Sequence, residues 1–313
     1  MTKEVELIDK IANNIEKVII GKKPEIYNIL KGVLASGHIL IEDVPGVGKT
    51  TLIKALSKSL NLSNNRIQFT PDLLPSDILG VSIYSQKTND FEFKKGPIFS
   101  NIILADEINR TSPKTQSALL EAMEEKQISE GGITYKLEEP FLVLATENPI
   151  EYEGTFSLPE AQLDRFMIKV KIGYPKAEAE VNILDLYREN NPIEQLEAVA
   201  TNEDILHLQK KVRSIHVEKE LNQYIVKIVN ATRDNSFILL GGSIRSSLAL
   251  QRVAQATAII NGRDYIIPED VRENVIIVLS HRITLTSSAR ANNYTERQII
   301  SDILKTIQVP KVR

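Results

Sequence analysis

His38-Ile39-Leu40-Ile41-Glu42-Asp43-Val44-Pro45-Gly46-Val47-Gly48-Lys49-Thr50-Thr51-Leu52-Ile53 is the stretch that decides the fold. Its apolar start reads as a short buried strand that ends in a tight Pro/Gly turn. After Lys49 the apolar positions Leu52, Ile53, Leu56 and Leu60 fall on one helical face. Strand, glycine turn and helix in that order suit the capture of a phosphate chain. Small residues let backbone N–H groups turn inward at the positive end of a helix. Gly46 and Gly48 supply the close approach, Lys49 can reach β- and γ-phosphates, and the Thr50 hydroxyl can ligate Mg²⁺. The strict pattern G-x-x-x-x-G-K-[ST] is missed by one residue, because Asp43 stands where its first glycine belongs. The candidate nucleotide loop is therefore Pro45–Thr51, Val47 and Thr51 included, and a structural turn with a solvated lysine is the alternative.

Downstream, Ile102-Ile103-Leu104-Ala105 is a second apolar strand, and it delivers Asp106 and Glu107 at its carboxyl end. Successive strand residues point in opposite directions, so the two acids have separate roles. Asp106 can orient the Mg²⁺ shell, while Glu107 can polarise a water in line with a γ-phosphate. A third apolar strand, Phe141–Ala145, runs into Thr146-Glu147-Asn148-Pro149, and the Asn148 amide could hold that water or a phosphate oxygen without adding charge. Between these strands Ser112 and Pro113 open a helix as N-cap and first helical residue. Near-continuous apolar strands alternating with helices predict an α/β fold with a parallel sheet covered on both faces. Ile168–Ile172 alternates, as a strand with one wetter face does. Beyond Gly173 only helical periods are visible, at about 177–190, 201–213, 218–233, 243–261 and 268–281. The expected organisation is a nucleotide-binding core over 1–173 and a smaller all-helical region over 174–313.

Composition narrows the function classes. With 313 residues, 42% hydrophobic and 25% charged, the chain has the make-up of an ordinary globular protein. A net charge of −3 and a pI near 6.0 give no general pull toward nucleic acid or anionic membrane. The absence of Cys excludes disulfides, thiolate metal sites and thiol nucleophiles. His38, His207, His216 and His281 are scattered without ligand spacing and read as structural. No apolar leader or membrane-length run is present, so the expected compartment is the cytoplasm, with no membrane insertion.

Longer runs carry a resemblance. They are Asp106-Glu107-Ile108-Asn109-Arg110 followed by Thr111–Glu125, then Ala145-Thr146-Glu147-Asn148-Pro149, and Gly154–Phe166 with its Leu-Asp-Arg-Phe end. Together with Arg66–Asp77 and Gly241-Gly242-Ser243-Ile244-Arg245, they resemble the MoxR family of AAA+ ATPases over nearly the whole chain. The resemblance implies a P-loop AAA+ sandwich followed by a helical lid, with ATP and Mg²⁺ as cofactors. Lys49 and Thr50 would belong to Walker A, Asp106 and Glu107 to Walker B, and Asn148 would be sensor 1. Arg245 would be sensor 2, and Arg165 an arginine finger reaching the nucleotide of a neighbouring subunit. Gly21 would lie near the adenine. For Arg165 the alternative is a surface pair with Asp164, and for Arg245 an ion pair within the lid. A helix-2 insert is expected at about 79–95, and a hairpin before sensor 1 at about 126–137, turning at Gly131-Gly132.

The family further implies a hexameric ring, a von Willebrand factor A domain partner, and work as a remodelling or chaperone-like ATPase. The alternatives are a nucleic-acid motor and the ATPase subunit of a metal chelatase. A motor needs cationic hairpin tips, and the Ser129-Glu130-Gly131-Gly132 tip is neutral to acidic, although Lys94-Lys95 adds local positive charge. One expectation follows from the loop alone. No other Lys or Arg lies between Asp43 and Ile53, so Lys49→Ala should abolish ATP binding, measured calorimetrically, with an unchanged circular dichroism spectrum. Unchanged affinity would refute the phosphate-loop assignment.

Overall fold

The computed structural model describes residues 2–44, 46–147, 156–188 and 191–311. Helices α1 (Lys3–Glu16) and α2 (Lys23–Leu34) precede strand β1 (His38–Glu42) and helix α3 (Lys49–Ser59). There follow β2 (Asn64–Gln68), α4 (Pro75–Leu79), β3 (Gly80–Ser85), β4 (Asp90–Lys95), β5 (Ile102–Asp106) and α5 (Pro113–Glu125). The hairpin β6 (Gln127–Glu130) and β7 (Ile133–Lys136) leads to β8 (Leu142–Glu147), α6 (Glu160–Leu163) and β9 (Phe166–Val170). The C-terminal region comprises α7 (Ala177–Leu186), α8 (Asn202–Ser214), α9 (Lys219–Arg233), β10 (Ile238–Leu240), α10 (Ile244–Ile260) and α11 (Pro268–Leu279). It ends with β11 (Thr284–Leu285), α12 (Ser287–Ala291) and α13 (Glu296–Thr306).

The central sheet has the order β2-β5-β8-β1-β9, and every pairing in it is parallel. Alternate strand residues point to opposite faces. Ile39, Ile41, Leu104, Leu144 and Ile168 enter one apolar cluster, and Leu40, Ile103, Val143, Ala145 and Phe166 enter the other. Both faces are covered, which is why β1, β5 and β8 read as unbroken apolar runs. Burying each such Ile or Leu contributes about 1.5–3 kcal/mol. Edge strand β9 is half wet, as its alternation predicts.

The first cluster does not stop at the sheet. It runs through α1 and α2 into Leu208, Leu250, Val253 and Val275 of the C-terminal helices, so the apolar interior is continuous past Gly173. Helices begin where the caps indicate: Ser112 accepts from the Thr115 amide, and Pro113 opens α5. The structure adds to the sequence reading in three places. Strand β2 has one buried residue in five, too few to show as an apolar run. Pairing with β5 fixes it all the same. The C-terminal region, otherwise helical, contains the short antiparallel pair β10–β11, and α12 and α13 follow it. Within 79–95 the chain forms the antiparallel hairpin β3–β4, and within 126–137 the hairpin β6–β7 turns at Gly131-Gly132, both at positive φ. Among the described residues no helix is long and apolar enough to cross a membrane.

His38, buried at the start of β1, locks the sheet to α5. Its Nδ1 accepts from the Val143 amide at 3.0 Å, so Nε2 carries the proton and donates to the Met123 carbonyl at 3.1 Å. Burial pushes its pKa down to about 4. A base with a folded pKa below its unfolded value of 6.5 stabilises the fold fully above pH 6.5. That contribution is lost as pH falls through 6.5 toward 4. In urea titrations His38→Gln should therefore be less stable than wild type at pH 7.5 by about 1–3 kcal/mol. It should also lose less stability between pH 6.5 and pH 4 than wild type does; an unchanged acid slope would exclude His38 as the acid-sensitive group.

Candidate functional site

Three neighbouring parallel strands, β5, β8 and β1, end at the same edge of the sheet. Ile41 pairs with Thr146 and Ala105 with Ala145, so Asp106, Thr146 and the entry to the phosphate loop share one level. Strands two apart are separated by roughly 10 Å, a span that a triphosphate and its metal can bridge.

At the β1 end, Gly46 and Gly48 both have φ +85°, and a Cβ built on either would meet nothing within 4 Å. Glycine is required there by the left-handed backbone, with open space above it. Gly48 caps α3 without a side-chain hydrogen bond, and the first turn of this 11-residue helix carries no acid. Its free N–H groups and positive dipole end therefore suit an anion. Lys49 Nζ turns back onto the Asp43 carbonyl at 2.9 Å. Pro45 lies outside the described residues.

Gly46, Val47, Gly48 and Thr51 line a cavity of about 650 Å³ together with Ile19, Tyr174 and Leu184. Gly21 follows the lining residue Ile20, and a Cβ on it would come within 3.1 Å of Ala179. This apolar pocket beside an anion cradle has the size and polarity for a nucleoside attached to phosphates.

At the β5 end the two acids have different partners, and Glu107 lies just beyond the strand, so a backbone turn and not strand alternation separates them. Asp106 Oδ2 accepts from Arg66 Nη2 at 2.6 Å, and its Oδ1 accepts from the Thr146 hydroxyl at 2.7 Å. Glu107 has left-handed φ 58° and ψ 52°, a conformation that costs a non-glycine residue about 1–3 kcal/mol and collects at functional sites. Thr146 holds it there by accepting from the Glu107 amide at 2.8 Å. Glu107 Oε2 accepts from Gln68 Nε2 at 2.9 Å and from Arg110 Nη1 at 3.0 Å. Asn148 lies outside the described residues. Among the described residues no group of three or more His, Asp or Glu is arranged to hold a metal ion. Magnesium bound largely through phosphates and water needs only one or two protein oxygens, and Thr50 and Asp106 suit that demand.

Arg165 and Arg245 are brought together, away from the phosphate loop. Arg165 Nη2 lies 3.1 Å from Glu124 Oε2, and Arg245 Nη2 pairs with Oε1 of the same carboxylate. They line a separate cavity of about 350 Å³ that shares no residue with the nucleotide-sized one. Asp164 does not pair with Arg165. Its Oδ1 accepts from Arg282 and its Oδ2 from the Ser243 hydroxyl, each at 2.8 Å. Arg282, whose pKa burial lowers to about 10, also donates to the carbonyls of Met167 and Phe166.

Sequence reading missed Arg66, Gln68, Arg110, Thr146, Glu124 and Arg282. Arg66, Arg110, Thr146 and Glu124 stand inside the runs quoted above, and so does Gln68, but only the fold shows what they touch. Asp43, noted as a missing glycine, has a task of its own. Its Oδ2 accepts from the amides of Ile172 and Gly173 at 2.7 and 2.6 Å.

Comparison with known proteins agrees with this geometry. Residues 38–168 match the ATPase family associated with various cellular activities (AAA), and residues 230–303 match the AAA lid domain. The chaperone MoxR1 of Mycobacterium tuberculosis is 40% identical, over 99% of this chain and 84% of its own length. YeaC of Bacillus subtilis is 48% identical over 98% of this chain and 96% of its own. A crystal structure of a candidate ATPase from Cytophaga hutchinsonii superposes with a TM-score of 0.92 at 44% identity, covering 98% of this chain and 96% of that one. A glycine turn suited to an anion, two acids at the end of the strand two places away and a helical region packed on one face of the sheet are thus accompanied by near full-length similarity: the chain belongs to the MoxR family of AAA+ ATPases.

Proposed function

We propose that this chain binds ATP with Mg²⁺ at the Pro45–Thr51 loop, hydrolyses it, and uses the cycle to remodel or mature protein complexes in the cytoplasm. The active site in this reading is shared between copies in a ring, hexameric by family resemblance. Lys49 acts on the β/γ-phosphates as the Walker A lysine. Thr50 and Asp106 hold the metal, which neutralises charge developing on the phosphates. Glu107 polarises the attacking water, and Asn148 is assigned to sensor 1 from the sequence.

One observation carries the shared site. Arg165 and Arg245 meet in a cavity that shares no residue with the nucleotide-sized one, so neither arginine lines the nucleotide pocket of its own chain, although phosphoryl transfer commonly uses such a cationic partner. A neighbour's pair would supply it, with Arg165 as finger and Arg245 as sensor 2 in trans. A protein client is favoured over nucleic acid by the β3–β4 hairpin. Its exposed side chains include Ile83, Tyr84 and Phe91, and Lys95 is engaged over the Phe99 ring at 5.0 Å. The partner expected from the family is a von Willebrand factor A domain protein.

Two outcomes test this reading. Glu107→Gln keeps the size and removes the base, so it should bind ATP as wild type does yet turn over at least about a hundredfold more slowly. Lost binding with normal turnover would instead give Glu107 to the metal. Arg165→Ala should bind ATP but hydrolyse it roughly a thousandfold more slowly, and mixing it with Glu107→Gln should restore part of the activity. Wild-type turnover should rise faster than linearly with protein concentration. Turnover independent of concentration, with no rescue under conditions where oligomers form, would sink the shared site.

A further inference from the structure

We propose that Glu124 is a positioning residue that holds Arg165 and Arg245 as one unit, aimed at the nucleotide of the neighbouring copy; this rests on the shared-site reading above. The two arginines reach the carboxylate from distant parts of the chain. Arg165 lies between α6 and β9, and Arg245 lies in the first turn of α10. Each takes a different oxygen of Glu124. Two guanidinium groups brought this close repel each other, and a carboxylate between them offsets that repulsion while fixing both planes. The net charge of the trio stays positive, so it still attracts phosphate.

No other described acid is placed to do this. Asp164, next to Arg165 in the chain, has both oxygens committed to Arg282 and Ser243. Arg165 Nε is buried without a partner among the described residues, so the orientation of this guanidinium depends on its contact with Glu124. Glu124 itself has a firm base. It lies in the last turn of α5, directly after Met123, whose carbonyl accepts from His38 of β1. The arrangement runs from β1 through His38 and the end of α5 to the arginine pair. A finger displaced by an ångström loses much of its effect on a transition state, so an anchored carboxylate at this place bears on rate.

The test uses the full-length chain with Glu124→Ala and Glu124→Asp. Glu124→Ala should lower kcat by about ten- to a hundredfold, the upper figure being the cost of misplacing a transition-state contact by an ångström, and leave KM for ATP within about twofold. Glu124→Asp should recover part of the loss. In a background already carrying Arg165→Ala and Arg245→Ala, Glu124→Ala should have no further effect, because its action runs through those side chains. The lesion falls on the finger side of the interface, so mixing Glu124→Ala with Glu107→Gln should restore activity as the Arg165→Ala mixture does. An equal loss in the double-arginine background would show that Glu124 acts independently of the two arginines, and a raised kcat would make it a competitor for them; either result overturns the proposal. If the Arg165→Ala control mixture itself fails to recover, the shared site falls and the proposal with it. Recovery of that control without recovery of Glu124→Ala removes Glu124 alone.

Discussion

The carboxylate of Asp43 is the constraint from which the rest of the site is hung. It is buried just after strand β1 and accepts three backbone N–H groups, from Val44, Ile172 and Gly173. Such bonds are short and strong, and they fix two places at once: where the phosphate loop leaves the sheet, and where the chain turns toward the C-terminal helices. The main-chain oxygen of the same residue receives Lys49 Nζ. A glycine here would satisfy the strict phosphate-loop pattern and forfeit the side-chain bonds. The departure from the motif thus has a physical reason, since the loop is tied to the neighbouring edge strand by the residue that replaces its first glycine.

A second set of ties joins the helical region to the far end of β9. The Arg282 guanidinium reaches Asp164 and the carbonyls of Phe166 and Met167, and His281 Nε2 lies 2.9 Å from the Phe166 carbonyl. Burial holds the His281 pKa well below its usual value, so the ring is neutral and its Nε2–H is the donor. Arg165 stands between these partners in the chain, which places it on a stiff segment. Lys22 adds a clasp on the nucleotide side by donating to the carbonyls of Ile172 and Tyr174.

Much of this was legible in the sequence, and what was not has common causes. The three central strands announced themselves because both of their faces are apolar, and α5 because Ser112-Pro113 is a start signal. Strand β2, Asn64-Asn65-Arg66-Ile67-Gln68, was invisible because its polar side chains serve the site: Arg66 holds Asp106, and Gln68 holds Glu107. Strands β10 and β11 are three and two residues long, too short for any period to show. The acids Asp106 and Glu107 were readable from their place at a strand end. That Arg165 and Arg245 share Glu124 was not, because contacts across 41 and 121 residues leave no local trace. Asn148 and Pro45 rest on the sequence, as both lie outside the described residues.

The apolar interior that runs unbroken from the sheet through α2 to α8 and α10 bears on temperature. A joint made of ion pairs alone is limited by the desolvation of its charges, which becomes less costly on warming. This joint is made chiefly of buried isoleucine, leucine and valine, whose mutual attraction fades on cooling. The cohesion of this seam therefore weakens on cooling. Cold, more than salt, is the condition that would let the two halves of this chain breathe apart.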